Sequence, residues 1–285
     1  MKKPSTRMRN AKRGRRKTLL PSAVWLVMLL IGACMMLMPL GSMRHEVAQD
    51  AMEYEQLKVE TAVEPVQGEN TETVMPRVNI PAPTADVIAP SLETPHTGID
   101  LAACHAQNND FVAWLQIPNT PVDYPVVSTD DTKHYLSHTF AGTKSYLGTL
   151  FSLSKTDYSL PSRNIAIYGH HIRSNDDVMF SPLLRYKDQA FYAGHELIYL
   201  DSLYHSAVYK IFAVINMRNG DWEPSTASYD DDAAFLHFVN SAKAQALYPT
   251  DVAVEADDEI LTLITCDRSY IPLEGRLIVM AVRIE

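Results

Sequence analysis

The chain has 285 residues, 46% of them hydrophobic, enough for one sizeable folded domain with appendages; the length alone does not demand two. Its formal net charge of −9 hides a split: the first 17 residues carry nine Lys or Arg and no Asp or Glu, leaving 16 basic against 34 acidic side chains in the rest. Three cysteines, Cys34, Cys104 and Cys266, are too few for a disulfide framework.

After the basic tail of residues 1–17, the run over 18–40 has no charged side chain from Leu19 to Leu40. A helix of that length spans about 33 Å, against roughly 30 Å for a bilayer core, and predicts a signal anchor. Basic residues before the run and an acidic balance after it orient the N-terminus to the cytoplasm, so the expected localisation is a single-pass cell-membrane protein with everything after residue 40 outside. Two other readings exist. A cleaved signal peptide lacks a small-residue cleavage site followed by polar chain, and the lipoprotein-like box "IGAC" ending at Cys34 is followed by more apolar sequence.

Residues 41–97 read as an extracellular stalk. The first twenty have helical composition that could continue the membrane helix outward, and six prolines between 61 and 97 leave no hydrophobic periodicity. The folded domain is expected over 98–285. Its opening, "GIDLAACHAQNNDFVAWLQIPNT", predicts one or two short helices with Leu101, Phe111, Trp114 and Leu115 on an apolar face and Cys104 as a small buried thiol.

Seven short strand-like runs follow, over 122–127, 148–152, 164–169, 196–201, 207–216, 259–266 and 276–284. Strands separated by turns, rather than alternating with helices, predict a sheet closed on itself, a barrel or a sandwich. Helical patterns interrupt them over 177–188 and over 228–248, the second opening on the acidic "YDDDAAF", which suits a helix N-terminus.

The last two strands are joined by "DRSYIPLEG", which reads as a hairpin connection. If that loop is symmetric about Ile271, Cys266 faces Arg276. An arginine beside a cysteine favours the nucleophilic thiolate and can donate to an oxyanion; the alternative is a solvated residue at the strand rim. A cysteine nucleophile needs an acid or base, usually histidine. Of ten histidines, His170 stands where the apolar run "NIAIYG" gives way to a polar loop, a position held by scaffold yet facing open space, whereas His171 must point elsewhere. For Cys104 and Cys266 a mutual disulfide in an oxidising exterior is the competing reading.

"TLITC", "IYGH" and "GRLIVMAV", in the order His, Cys, Arg, resemble the sortases, membrane-anchored cysteine transpeptidases of Gram-positive bacteria. The opening "DFVAWLQIPNTPVDYPVV", the "GHH" with a following "MF", and a long helix before the cysteine strand are most similar to class B. The resemblance implies a mainly β fold with added helices: a closed eight-stranded β-barrel, N-terminal helices, and a helix in the long loop before the cysteine strand. One strand is then missing from the seven above. It also implies catalytic roles for Cys266, His170 and Arg276, with Ile264, Thr265, Asp267 and Tyr168 flanking the site, a surface position being an equal reading for Asp267. Ile264 stands where class B often has serine and offers no hydroxyl for a substrate contact there.

The implied reaction is cleavage after threonine in the C-terminal sorting motif of a secreted protein and transfer of the acyl group to an amine of the peptidoglycan precursor, lipid II. The partners expected are therefore sorting-signal proteins, that precursor and the bacterial membrane, without nucleic acid, cofactor or metal. A cysteine hydrolase of the wall and a non-enzymatic scaffold with a Cys104–Cys266 bond are the rival readings.

Overall fold

The computed structural model describes residues 45–63, 95–131, 133–153, 156–159, 162–267 and 274–285. Eight strands form the body: β1 Phe111–Gln116, β2 Asp123–Thr129, β3 Leu150–Leu153, β4 Asn164–Tyr168, β5 Leu197–Ser202, β6 Ser206–Arg218, β7 Ile260–Asp267 and β8 Gly275–Arg283. They close into a barrel in the order β1-β2-β3-β4-β7-β8-β6-β5, with β5 returning to pair with β1. This is the closed eight-stranded barrel that the resemblance implies.

The strand absent from the sequence reading is β1. Phe111, Ala113, Trp114 and Leu115 are all buried in it, so no period-2 alternation shows. A short apolar run covered on both faces cannot be told from a helix segment by periodicity. Only Leu101–Gln107 of the expected helical opening is helical (α2), capped by Asp100, whose carboxylate accepts from the Ala103 N–H at 3.0 Å.

A second correction lies upstream. Residues 45–61 are helical (α1), and Val47, Tyr54 and Leu57 of this helix are buried in the main core together with Trp114, Leu150 and Ile167. Past its end, Asp100 N–H donates to Thr61 O at 2.7 Å and Val63 N–H to Gly98 O at 2.8 Å, closing the two segments together. The folded unit therefore includes α1, upstream of 98, as an amphipathic element of the domain rather than the start of a stalk. No helix among the described residues is long and apolar enough to cross a membrane. The 18–40 run lies outside the described residues, and α1 buries one stripe of side chains, Val47, Tyr54 and Leu57, in the main core. The expected single-pass membrane localisation is not supported by the described residues.

The 177–188 segment shows what its proline does: a 3-10 turn, Ser181–Lys187, with Pro182 in its first turn, then the short α3, Gln189–Tyr192. The 228–248 pattern becomes α4, Asp232–Gln245. The acidic cluster before it caps the helix: Asp231 accepts from the Ala234 N–H at 2.7 Å, and Asp232 pairs with Arg163. Phe235, Phe238, Val239 and Ala242 of α4 share an apolar cluster with Ile260, Ile264, Ile278 and Met280. The intervening residues Leu261, Leu263, Leu277 and Val279 belong to the main core, so β7 and β8 alternate between barrel interior and the face under α4.

Candidate active site

Two strand pairings bring three distant segments together. β4 runs parallel to β7, with Tyr168 opposite Ile264, so the chain leaves both strands at the same barrel end, and His170 and Cys266 each stand two residues further on. β8 returns antiparallel beside β7 with Cys266 opposite Arg276, the register symmetric about Ile271. The loop residues that make this connection, 268–273, lie outside the described residues.

Arg276 Nη1 lies 3.1 Å from Cys266 Sγ. Both side chains are half-buried, and the guanidinium sets a permanent positive charge and a fixed N–H donor against the sulfur. Such a donor can meet a thiolate or the oxyanion that forms next to it.

Gly169 explains how His170 comes to its place. Its N–H donates to Ile264 O at 3.1 Å, and its carbonyl accepts from Thr265 Oγ1 at 2.8 Å, so β7 grips the turn on both sides. A Cβ there would come within 2.5 Å of Leu150 Cδ2 and 2.6 Å of Phe180 Cδ2, which no side chain could occupy without displacing both. Beyond the turn, His170 Nε2 lies 2.8 Å from Leu136 O. A carbonyl only accepts, so Nε2 carries the proton and Nδ1 is the atom that gains or loses one.

His171 points elsewhere, as its neighbour's position requires. It is buried, and its Nδ1 donates to the carbonyl of Cys266 at 3.1 Å, fixing the end of β7.

The flanking residues sort into different roles. Thr265 is buried and makes the Gly169 bond above. Ile264 is buried under α4 with Ile278 and Phe238 and acts in packing. Tyr168 stacks on Phe151 with ring centroids 5.4 Å apart; burial pushes its phenol above the usual range, opposed by a hydrogen bond with Ser225 and by the charge of Arg276. Asp267 is not at the surface: its carboxylate has 0% side-chain exposure and is ion-paired with Lys187 of the 3-10 turn. Lys187 escaped the sequence reading. Eighty positions separate Lys187 from Asp267, and only the fold brings them together.

Both described cysteines are free thiols. Cys104 is wholly buried in the main core on α2, and burial pushes its thiol up to about 11. The Cys104–Cys266 bond of the scaffold reading is not made.

Behind α4, the loop from β6 is moored to β4. Buried Asn164 donates from Nδ2 to Pro224 O at 2.9 Å and to Thr226 O at 3.0 Å, and Trp222 stacks on Phe238 at 4.7 Å. Among the described residues no group of three or more His, Cys, Asp or Glu could hold a metal ion.

The sortase domain model matches residues 115–284. Sortase B of Listeria monocytogenes is 30% identical over 172 residues, covering 60% of this chain and 69% of the relative. Among solved structures, the Staphylococcus aureus sortase B–substrate complex superposes with a TM-score of 0.60 at 26% identity, covering 65% of this chain and 85% of that one. Sortase B from Bacillus anthracis in complex with AAEK1 gives a TM-score of 0.60 at 28% identity, covering 69% and 89%.

Proposed function

From the premise that this chain belongs to the sortase family, most like class B, and is a cysteine transpeptidase of the cell wall, we propose that Cys266, His170 and Arg276 carry the reaction on a C-terminal sorting motif. The observation that carries the assignment is the 3.1 Å contact between Arg276 Nη1 and Cys266 Sγ.

In the first half-reaction the Cys266 thiolate attacks the carbonyl carbon of the motif's threonine. A C–S bond forms, and negative charge moves to the carbonyl oxygen, where the Arg276 guanidinium donates to it. Collapse breaks the C–N bond of the next residue, and the His170 imidazolium gives its proton to the departing amine. In the second half-reaction an amine of the peptidoglycan precursor, lipid II, attacks the thioacyl carbon and hands a proton to His170. The C–S bond breaks, Cys266 leaves as thiolate, and the secreted protein is joined to the wall precursor by a new amide. The 218–250 segment with α4 forms one wall of the peptide groove.

The test is turnover of a threonine-containing sorting peptide with and without an amine acceptor, in wild type, Cys266→Ala and His170→Ala. Transfer to the amine, lost in both variants, is expected. Full-rate turnover without amine would instead indicate the hydrolase, and cleavage surviving Cys266→Ala would refute the nucleophile.

A further inference from the structure

We propose that α1 is part of the catalytic apparatus and that Tyr54 is a positioning residue for His170. This rests on the assignment of His170 as the acid and base above.

The imidazole of His170 is held by a segment that is itself not part of any strand. Its acceptor, Leu136 O, belongs to a turn whose backbone is laced to the approach to β3: Thr149 N–H donates to Tyr135 O at 2.9 Å, Ser145 N–H to Ser137 O at 2.9 Å, and Thr149 Oγ1 to His138 O at 2.9 Å. Gly148 completes the seat. It adopts φ +61°, and a Cβ there would lie 2.5 Å from Tyr135 O and 3.2 Å from His170 Cδ2, so its bare backbone lies against the ring edge.

Asn108 and Asp110 hold the Tyr135–Phe140 side of this turn, and α1 holds its Ser145–Thr149 side. The Tyr54 hydroxyl donates to Gly148 O at 2.6 Å and lies 3.1 Å from Thr149 Oγ1, touching both residues that carry the seat. One turn earlier on the same face, the Asp50 carboxylate accepts from Ser145 Oγ, and that oxygen in turn accepts from the Leu147 N–H at 2.9 Å. Residues four apart project side by side from a helix, so Asp50 and Tyr54 grip two points of one loop. Tyr54 is buried, and its ring is fixed edge-on to Tyr124 at 5.4 Å. α1 adds two further anchors to this turn, and a proton-transfer group displaced by a fraction of an ångström loses rate. The helix therefore does more than add core area: it sets where Leu136 O stands, and through it the tautomer and direction of the imidazole.

The experiment compares three variants of the full chain in the peptide transfer assay: Tyr54→Phe, His170→Ala, and Tyr186→Phe, which deletes an equally buried hydroxyl that donates to His195 O at 2.7 Å elsewhere in the fold. Tyr54→Phe is expected to lower kcat about fivefold, as the loss of one anchoring hydrogen bond implies, with KM for the peptide unchanged and with the ¹⁵N shifts of His170 moving toward a tautomer mixture. Tyr186→Phe should cost similar stability and leave kcat and those shifts alone. A Tyr54→Phe enzyme with wild-type kcat, or equal kcat losses in both tyrosine variants, overturns the proposal. Retained turnover in His170→Ala overturns the histidine assignment itself and the proposal with it. Should Tyr54→Phe not fold, Asp50→Asn, which weakens the second anchor, is read by the same criteria.

Discussion

Cys266 and Arg276 stand directly opposite one another across the β7–β8 ladder, with Nη1 of the arginine 3.1 Å from the sulfur. The pair is set by backbone register rather than by a flexible loop, so the guanidinium is in position before substrate arrives. Replacing Arg276 by Ala is expected to lower kcat by about 10²- to 10³-fold, the usual loss for one oxyanion donor, with a smaller change in KM. Arg276→Lys keeps the charge but not the planar fork and should recover only part of it. Steady-state kinetics of peptide transfer check both.

Gly169 leaves no room for a side chain between Leu150 and Phe180. Gly169→Ala is expected to destabilise the fold by roughly 1–3 kcal/mol, the range for an overpacked core, and to reduce turnover at temperatures where the protein is still folded. The activity loss should exceed the loss of folded protein measured by circular dichroism, because the residue that must shift is the one next to His170.

Lys187 of the 3-10 turn is ion-paired with Asp267, the residue after Cys266, whose carboxylate is wholly buried. Lys187→Met removes the cation from a buried anion and is expected to cost about 3 kcal/mol in denaturant unfolding. Lys187→Met combined with Asp267→Leu should restore most of that stability, since the desolvation penalty goes with the charge. An additive double variant would show that the two side chains are energetically independent.

Burial holds the Cys104 thiol protonated up to about pH 11, above its value of 9.0 in an unfolded chain. Between those values the unfolded chain releases a proton that the folded one keeps, so folding stability falls as pH rises from about 9 to about 11. In Cys104→Ala this part of the slope is expected to vanish in denaturant titrations across that window. For the same reason a thiol reagent should label Cys266 in the native protein and reach Cys104 only after unfolding, read by peptide mass spectrometry.

Much of the site was legible in the chain. "TLITC", "IYGH" and the Arg276 strand carry short-range signals, and the symmetric connection about Ile271 was enough to oppose Cys266 to Arg276. Ordinary periodicity found seven of the eight strands and the cap of α4. It failed at β1, where Phe111, Ala113, Trp114 and Leu115 are all buried and the alternation that marks a strand is absent. At residues 45–61 the helical composition was legible but its packing was not: prolines and polar residues after them look like a linker, while the helix itself returns to the barrel through Val47, Tyr54 and Leu57.

By itself the sequence placed Cys266, His170 and Arg276, the residues proposed to carry the reaction, in short local motifs. Which groups surround them was decided only by tertiary structure. The parallel β4–β7 pairing puts Tyr168 level with Ile264 and brings His170 and Cys266 out at one barrel end. Closure sets Lys187 against Asp267 across eighty positions, and packing lays α1 behind the histidine's seat. Such contacts come from burying apolar faces against distant ones, a requirement of the whole chain that no short window of residues contains.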